Sequence, residues 1–279
     1  MPSLPDVMNP DAGELARNAG HHPHEDAAPA ERALFEWLLR TGDNTLVLGH
    51  RLSEWCGRSP ALEEDIALAN VALDLIGQTA LWLGLAGEVE GAGRDADRLA
   101  YRRDAMDFRN LLMVERPNGD FGQTLMRQFL FDAWHHALLT RLVGSSEPRV
   151  AEIAAKAVKE VSYHLERSAD LVVRLGDGTE ESHRRMQATL DDLWPYAGEM
   201  FLADAVDEAV AEAGVAPAPE SLRPAWDGTV DEVLAEATLR RPENGFVHKG
   251  GKRGRHTEHL GYILAEMQFL QRAYPDAEW

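Results

Sequence analysis

The stretch 150–175, VAEIAAKAVKEVSYHLERSADLVVRL, most constrains what this chain can fold into. Val150, Ile153, Ala154, Ala157, Val158, Val161, Leu165, Val172 and Leu175 recur at three- and four-residue steps, with no Gly or Pro between them. That period builds a helix with one broad apolar face, which other packed elements must cover. Two polar residues lie on the same stripe. Glu160 stands one turn after Ala157, and His164 one turn after Glu160, so both point with the apolar residues. A carboxylate and an imidazole in a helical core need partners from neighbouring helices.

The rest of the chain supplies such neighbours. Residues 30–40 read as a short helix ending at the Thr41-Gly42 break, after which Asp43 caps a second helix over 44–56, stopped by Gly57. Ser59-Pro60 opens a long helix over 61–88 with an acidic first turn. A fourth helix is expected over 101–114. A fifth, over 120–143, is dense in large apolar residues and is closed by Gly144-Ser145-Ser146 before the stretch at 150. Residues 179–194 follow as a helix. Pro195 then bends or splits it ahead of another over 197–213. Further helices are expected over 221–238 and 257–273, joined by a basic, glycine-rich ordered loop over 241–255. No segment alternates with a period of two, and no fixed repeat is visible. The expected fold is all-α, with the helices at 44–56, 61–88, 120–143 and 148–175 forming a four-helix bundle core and additional C-terminal helices packed on it. Residues 29–279 are read as one helical domain. Residues 1–28 are read as a disordered polar tail, in which His21, His22 and His24 form a solvated run rather than a metal site.

Charge and cysteine content narrow the function classes. A formal net charge of −19 argues against nucleic acid or an acidic membrane surface as the main partner. The single cysteine, Cys56, allows no intrachain disulfide and suits a reducing, cytoplasmic setting. No apolar run is expected to approach the roughly 20 residues that span a bilayer, and the N-terminus lacks the basic start and apolar block of a signal peptide.

Each bundle helix carries polar residues on its apolar stripe. They are His50 and Glu54 on the second helix, and Asn70, Asp74 and Gln78 on the third. Asp132 and His136 follow on the fifth, and Glu160 and His164 on the sixth. A di-iron carboxylate bundle takes one Glu from each of two helices and a Glu-x-x-His pair from each of the other two. The carboxylates bridge and neutralise the hard ions, and the three-residue step aims Glu and His at one point. Here the third helix offers Asp74-x-x-Gly77, and the sixth offers Glu160-x-x-Tyr163 with His164 one place late. One place turns a helical side chain by about 100°. Asp132-x-x-His135 meets a looser form of the rule, but on a helix expected to give a lone carboxylate. The kit is broken at both histidine positions. His50, Glu54, Asp74, Asp132, His136, Glu160 and His164 therefore read as a degenerate site, a buried polar network without metal, in which imidazole balances carboxylate. The competing reading is an autonomous di-iron oxygenase or metal-storage bundle built on Asp74, Asp132, Glu160, His136 and His164.

Two other stretches carry weaker signals. Lys249, Lys252, Arg253 and Arg255 make the glycine-rich loop basic in an acidic protein. The loop lacks the strand, spacing and Ser/Thr of a nucleotide P-loop, so loop packing or an acidic partner is favoured over a phosphorylated ligand. His256-Thr257-Glu258-His259 looks metal-like, but adjacent helical residues diverge, and a helix cap made by Thr257 is favoured. No nucleophile motif of the Gly-x-Ser-x-Gly kind is present.

Four long blocks carry a family resemblance: TGDNTLVLGHRLSEWCGRSPALEEDIALANVALDLIGQT, NLLMVERPNGDFGQTLMRQFLFDAWHHAL, AAKAVKEVSYHLERSADLVVRLGDGTEES and GGKRGRHTEHLGYILAEMQFLQR. In order, from about residue 31 to 279, the chain resembles the non-catalytic structural subunits (the C components) of the bacterial ring-1,2-phenylacetyl-CoA epoxidases. These are multicomponent monooxygenases of phenylacetate catabolism, and so of aromatic compound degradation. The resemblance implies a ferritin-like fold and a structural role beside a homologous di-iron catalytic subunit, the A component. It also implies a small B component and a flavin/iron–sulfur reductase in the full complex. No catalytic residue, cofactor or metal ligand carries over to this chain; Lys249, Lys252, Arg253 and Arg255 are the candidate contact for a partner or for coenzyme A.

Overall fold

A computed structural model describes residues 28–243, 245–275 and 277. The tail expected at 1–28, with His21, His22 and His24, lies outside the described residues apart from Ala28. The described residues contain helices and turns but no strand.

Four long helices form two antiparallel hairpins: α1 (Pro29–Ser53) with α2 (Leu62–Glu90), and α5 (Phe121–Leu142) with α6 (Pro148–Gly176). The two hairpins meet where α2 packs on α6. This is the four-helix core of an all-α, ferritin-like bundle. Asp120 caps α5 through the Gln123 N–H, and Pro148 occupies the first turn of α6. Gly91, at φ 67°, ends α2 in the left-handed conformation that glycine adopts without strain.

The expected break at Thr41-Gly42 is absent. α1 is continuous through both residues because Gly42 is packed rather than free: a Cβ there would come within 2.6 Å of the Leu83 side chain on α2. Thr45 and Thr79 hydrogen-bond across the same seam at 2.8 Å. Asp43 therefore caps nothing. It lies fully buried against the Arg103 guanidinium and accepts the Arg109 N–H at 2.8 Å.

The helix expected over 101–114 is also absent. The chain instead forms α3 (Ala96–Tyr101), one 3-10 turn (Ala105–Asp107), an extended run, and the single turn α4 (Leu112–Glu115). The backbone donors a helix would use are taken by remote side chains. Arg109 N–H goes to Asp43, Leu111 N–H to Asn44 at 2.7 Å, and Leu112 N–H to Glu199 at 2.9 Å.

Pro195 does not split its helix. α7 (Glu180–Ala197) runs past it into a 3-10 turn (Gly198–Phe201). The real break falls after Phe201, and Asp204 caps α8 (Ala205–Glu212). The next helix, α9 (Arg223–Glu236), places Trp226 beside Trp194 and Phe201. The final helix is two pieces, α10 (Glu258–Met267) and α11 (Phe269–Ala273). They divide at Gln268, whose amide donates to the Ala100 and Arg103 carbonyls.

The expectation about apolar runs also needs correcting. By length and composition, α2 is apolar enough to cross a membrane, although only 44% of its most apolar window is buried. It is a core helix with an unusually apolar outer side.

Candidate functional site: a polar layer in the bundle and a strapped end

The stripe on α6 does what its period requires. His164 and Ser168 are buried one turn apart, and Glu160 is half-buried one turn earlier. Because α2 runs antiparallel to α6, its residues meet them in reverse order. Gln78 donates to Glu160 at 2.9 Å, and His164 Nε2 bonds Asp74 Oδ2 at 2.9 Å. From α5, Asp132 is fully buried and accepts from Gln128 at 2.7 Å and Ser168 at 2.9 Å. Burial pushes the Asp132 carboxyl up to about 6, and the bonds from Ser168 and Gln128 only partly oppose it.

One histidine in this layer differs from expectation. His136 is half-buried, with its pKa lowered by burial. The residue inside the core is its neighbour His135, 1% exposed, with neither ring nitrogen meeting a hydrogen-bond partner. Burial and the nearby His164 drive its pKa down to about 3, so it is neutral at pH 7. Glu54 also leaves the expected network. It sits at the exposed end of α1, held by Arg51 at 2.8 Å and Asn118 at 2.9 Å. His50 is largely buried, its Nε2 meets no partner, and burial lowers its pKa.

The donor set does not fit a two-metal carboxylate centre. Such a centre asks for four carboxylates and two imidazoles converging on a shared point. The layer offers Asp74, Asp132 and Glu160, each bonded to a protein donor: His164, Gln128 with Ser168, and Gln78. Apart from His164, the donors to these carboxylates are the uncharged Gln78 and Gln128 amides and the Ser168 hydroxyl. His164 spends Nε2 on Asp74, which is itself 39% exposed. Among the described residues, no group of three or more His, Cys, Asp or Glu is arranged to hold a metal ion.

A second polar constellation lies at the end of the bundle, where the basic loop straps across the irregular run after α3. Glu115, fully buried, accepts four hydrogen bonds: from Asn110 at 2.9 Å, His256 Nδ1 at 2.5 Å, the Thr257 N–H at 2.8 Å and the Thr257 hydroxyl at 2.6 Å. His256 Nε2 meets the Phe108 carbonyl at 2.9 Å. Both ring nitrogens thus face acceptors, so the ring ties the Glu115 carboxylate to the Phe108 carbonyl. Glu199 receives the N–H groups of Gly250 at 2.7 Å, Gly251 at 2.9 Å and Leu112 at 2.9 Å; burial still pushes its carboxyl up. The Thr257 hydroxyl, expected to cap α10, is spent on Glu115 instead.

The same strap revises the basic loop. Lys252 is not free: its Nζ donates to the Leu202 carbonyl at 2.8 Å and Asp207 at 2.9 Å. Arg40 holds Asp204 and Asp207 together, with Nη–O distances of 2.9 and 3.1 Å. Burial would raise the Asp204 carboxyl, but Arg40 overrides it and holds the group at about 2. Lys249, Arg253 and Arg255 are exposed, Arg253 lying 3.9 Å from Asp204. A pocket of about 470 Å³ of empty space, partly open to solvent, is lined here by Trp37, Arg40, Arg109, Trp134 and Lys252 among others. Its cations are already balanced by Asp204, Asp207 and Glu36, so it holds no surplus charge for an anion.

Glu115, Glu199, Asp43, His135 and His256 escaped the reading of the stripes. Only His135 carried a signal, its three-residue step from Asp132. Glu115, Glu199 and His256 lie in short or irregular segments, where no period marks which side is buried, and Asp43, inside α1, was read as a helix cap.

Known proteins share this chain's sequence over most of its length. The family described as phenylacetic acid catabolic protein matches residues 18–279. The C component of the 1,2-phenylacetyl-CoA epoxidase of Escherichia coli strain K12 is 50% identical over 246 residues, covering 88% of this chain and 99% of that one.

Proposed function

The chain belongs to the phenylacetic acid catabolic protein family, and from that premise we propose that it is the non-catalytic, supporting member of a 1,2-phenylacetyl-CoA epoxidase. In this reading a homologous chain carries the di-iron centre and the oxygen chemistry. A further small chain and a flavin/iron–sulfur reductase complete the assembly. The observation that supports it is the core layer between α2, α5 and α6. Its carboxylates are bonded to Gln78, Gln128, Ser168 and His164, and the buried His135 has no carboxylate partner. This chain's residues therefore hold helices in register rather than present metal to substrate. Of the basic loop, only Lys249, Arg253 and Arg255 remain exposed to an acidic partner or a coenzyme A phosphate.

The test is iron analysis of the purified chain, then of the chain mixed with the homologous di-iron protein. The expected result is no iron in the isolated chain, iron in the mixture within a complex of fixed stoichiometry, and epoxidation once the small chain, the reductase and its electron donor are added. Near-stoichiometric iron in the isolated chain, lost on Glu160→Ala, would overturn the proposal in favour of an autonomous oxygenase.

A further inference from the structure

The pocket beside the strap is lined by hydrogen-bond donors that nothing in this chain uses. Trp37, Arg40, Thr41 and Asn44 follow one another on α1 at steps of three, one and three, so one helical face presents all four to it. Trp134 joins them from α5, and Leu222 from the 3-10 turn Pro219–Leu222.

Three of these residues hold a donor without an acceptor. Trp134 is 8% exposed and Arg40 6%, and neither the Trp134 Nε1 nor the Arg40 Nε meets a partner. Arg40 commits only its two Nη atoms, to Asp204 and Asp207. Asn44, 4% exposed, accepts the Leu111 N–H through Oδ1, and among the described residues nothing accepts from its Nδ2. Acceptors are scarce by contrast. The Thr41 hydroxyl bonds the Trp37 carbonyl, and Asp207 already takes Arg40 and Lys252. A buried donor left without an acceptor costs stability, so three around one pocket call for an occupant that brings lone pairs.

Charge and bonding capacity select the kind of occupant. The cations here are balanced by Asp204, Asp207 and Glu36, so the occupant is uncharged. A water or an alcohol brings hydrogens into a place short of acceptors. A carbonyl oxygen brings two lone pairs and no hydrogen. The two indoles, with Leu138, Met200 and Leu222, supply walls for an apolar body.

We infer that this pocket binds a small uncharged carbonyl compound, a ketone or an ester on an apolar body about one ring in size, its oxygen accepting from the unpartnered donors of Trp134, Arg40 and Asn44. The site stands apart from the partnership proposed above and needs no second protein. A bound molecule touches α1, α5 and the strap at Lys252 together, so it stabilises the fold.

The experiment titrates the full chain with cyclohexanone and reads the indole N–H resonances and the melting temperature. Saturable binding is expected with a dissociation constant of about 1 mM, the scale for so small a ligand. One indole N–H should shift downfield and the melting temperature should rise. Cyclohexanol, which adds a hydrogen, and cyclohexanecarboxylate, which adds a charge, should each bind at least about tenfold more weakly. Trp134→Phe should weaken cyclohexanone about fivefold. Asn44→Asp keeps an acceptor for the Leu111 N–H but turns the free donor into a second acceptor, and should weaken it at least about tenfold. Trp55→Phe, away from the pocket, should change nothing. Should both pocket variants fail to fold, crystals of the wild-type chain grown with cyclohexanone decide the matter: the oxygen should lie about 3 Å from at least one of the three donors. No saturable binding, binding of cyclohexanol as tight as that of cyclohexanone, or tighter binding of the carboxylate would each overturn the inference, as would a ketone oxygen bonded elsewhere.

Discussion

Asp132 in the middle of the bundle and Glu115 at its strapped end are both fully buried carboxylates, and their surroundings differ in kind. Asp132 accepts two hydrogen bonds, both from uncharged groups, and burial raises its pKa to about 6. Around it lie polar atoms with no partner: both nitrogens of His135, Nδ1 of His164 and Oε1 of Gln128. Glu115 accepts four bonds and faces the His256 imidazole. One region keeps polar groups without satisfying them. The other satisfies a carboxylate so thoroughly that it clamps together segments more than a hundred positions apart in sequence. A satisfied buried network specifies a structure, while a half-satisfied one lowers stability. The middle layer is therefore the part of the core least explained by stability.

The sharpest way to break this contrast is Glu115→Ala. It strands the His256 ring, the Asn110 amide and the Thr257 N–H together. The expected loss is about 3–5 kcal/mol in urea unfolding, with faster proteolysis within 241–257. An effect under about 1 kcal/mol would mean the strap is held elsewhere.

Asp132→Asn should act in the opposite direction at neutral pH. The folded carboxyl, at about 6, lies above its ordinary 3.8, so the folded state binds more protons between those values. Stability from this group is highest below pH 4 and is lost as pH rises through 6. The amide escapes that loss. The variant should match or exceed wild type by up to about 3 kcal/mol at pH 7, with the gain vanishing near pH 4. Unfolding curves at pH 7, 5 and 4 measure it, and a gain that persists at pH 4 would refute the mechanism.

His135→Leu is the smaller companion. The folded imidazole titrates at about 3 rather than 6.5, so its contribution is complete above pH 6.5 and is lost as pH falls toward 3. The leucine should stabilise by about 1–2 kcal/mol at pH 7, and by more at pH 5. Asp132 and His135 oppose each other across pH 4–6, so wild type should show a flatter pH profile than either variant.

Periodicity was a good guide wherever packing is lateral and regular. The bounds of α2, α5 and α6 lie within two residues of the sequence expectation, because each helix is long, apolar on a face and punctuated by Gly91, Asp120 or Pro148. The same period placed Asp74, Asp132, Glu160 and His164 in one layer. It could not separate His135 from His136, because three- and four-residue steps from Asp132 flank the same face. Glu54 was misplaced because it stands at the C-terminal cap of α1, where its half-exposed side chain is held by Arg51 and Asn118 rather than by the core layer.

The strapped end was illegible for a different reason. Residues 101–114 have a helix-compatible composition, but their backbone donors go to Asp43, Asn44 and Glu199, and no local rule announces a hydrogen bond to a residue 66 positions away. By itself the sequence determined that this chain is a helical bundle and that Asp74, Asp132, Glu160 and His164 lie on the core-facing stripes of their helices, since both follow from side-chain type at helical spacing. Only the tertiary structure decided that Gly42 lies within a continuous helix, that Glu115 is a latch, that Lys252 is already spent, and that α2 keeps an apolar side uncovered. Those outcomes depend on what arrives from distant segments, and burial is a property of the packed assembly rather than of any one stretch.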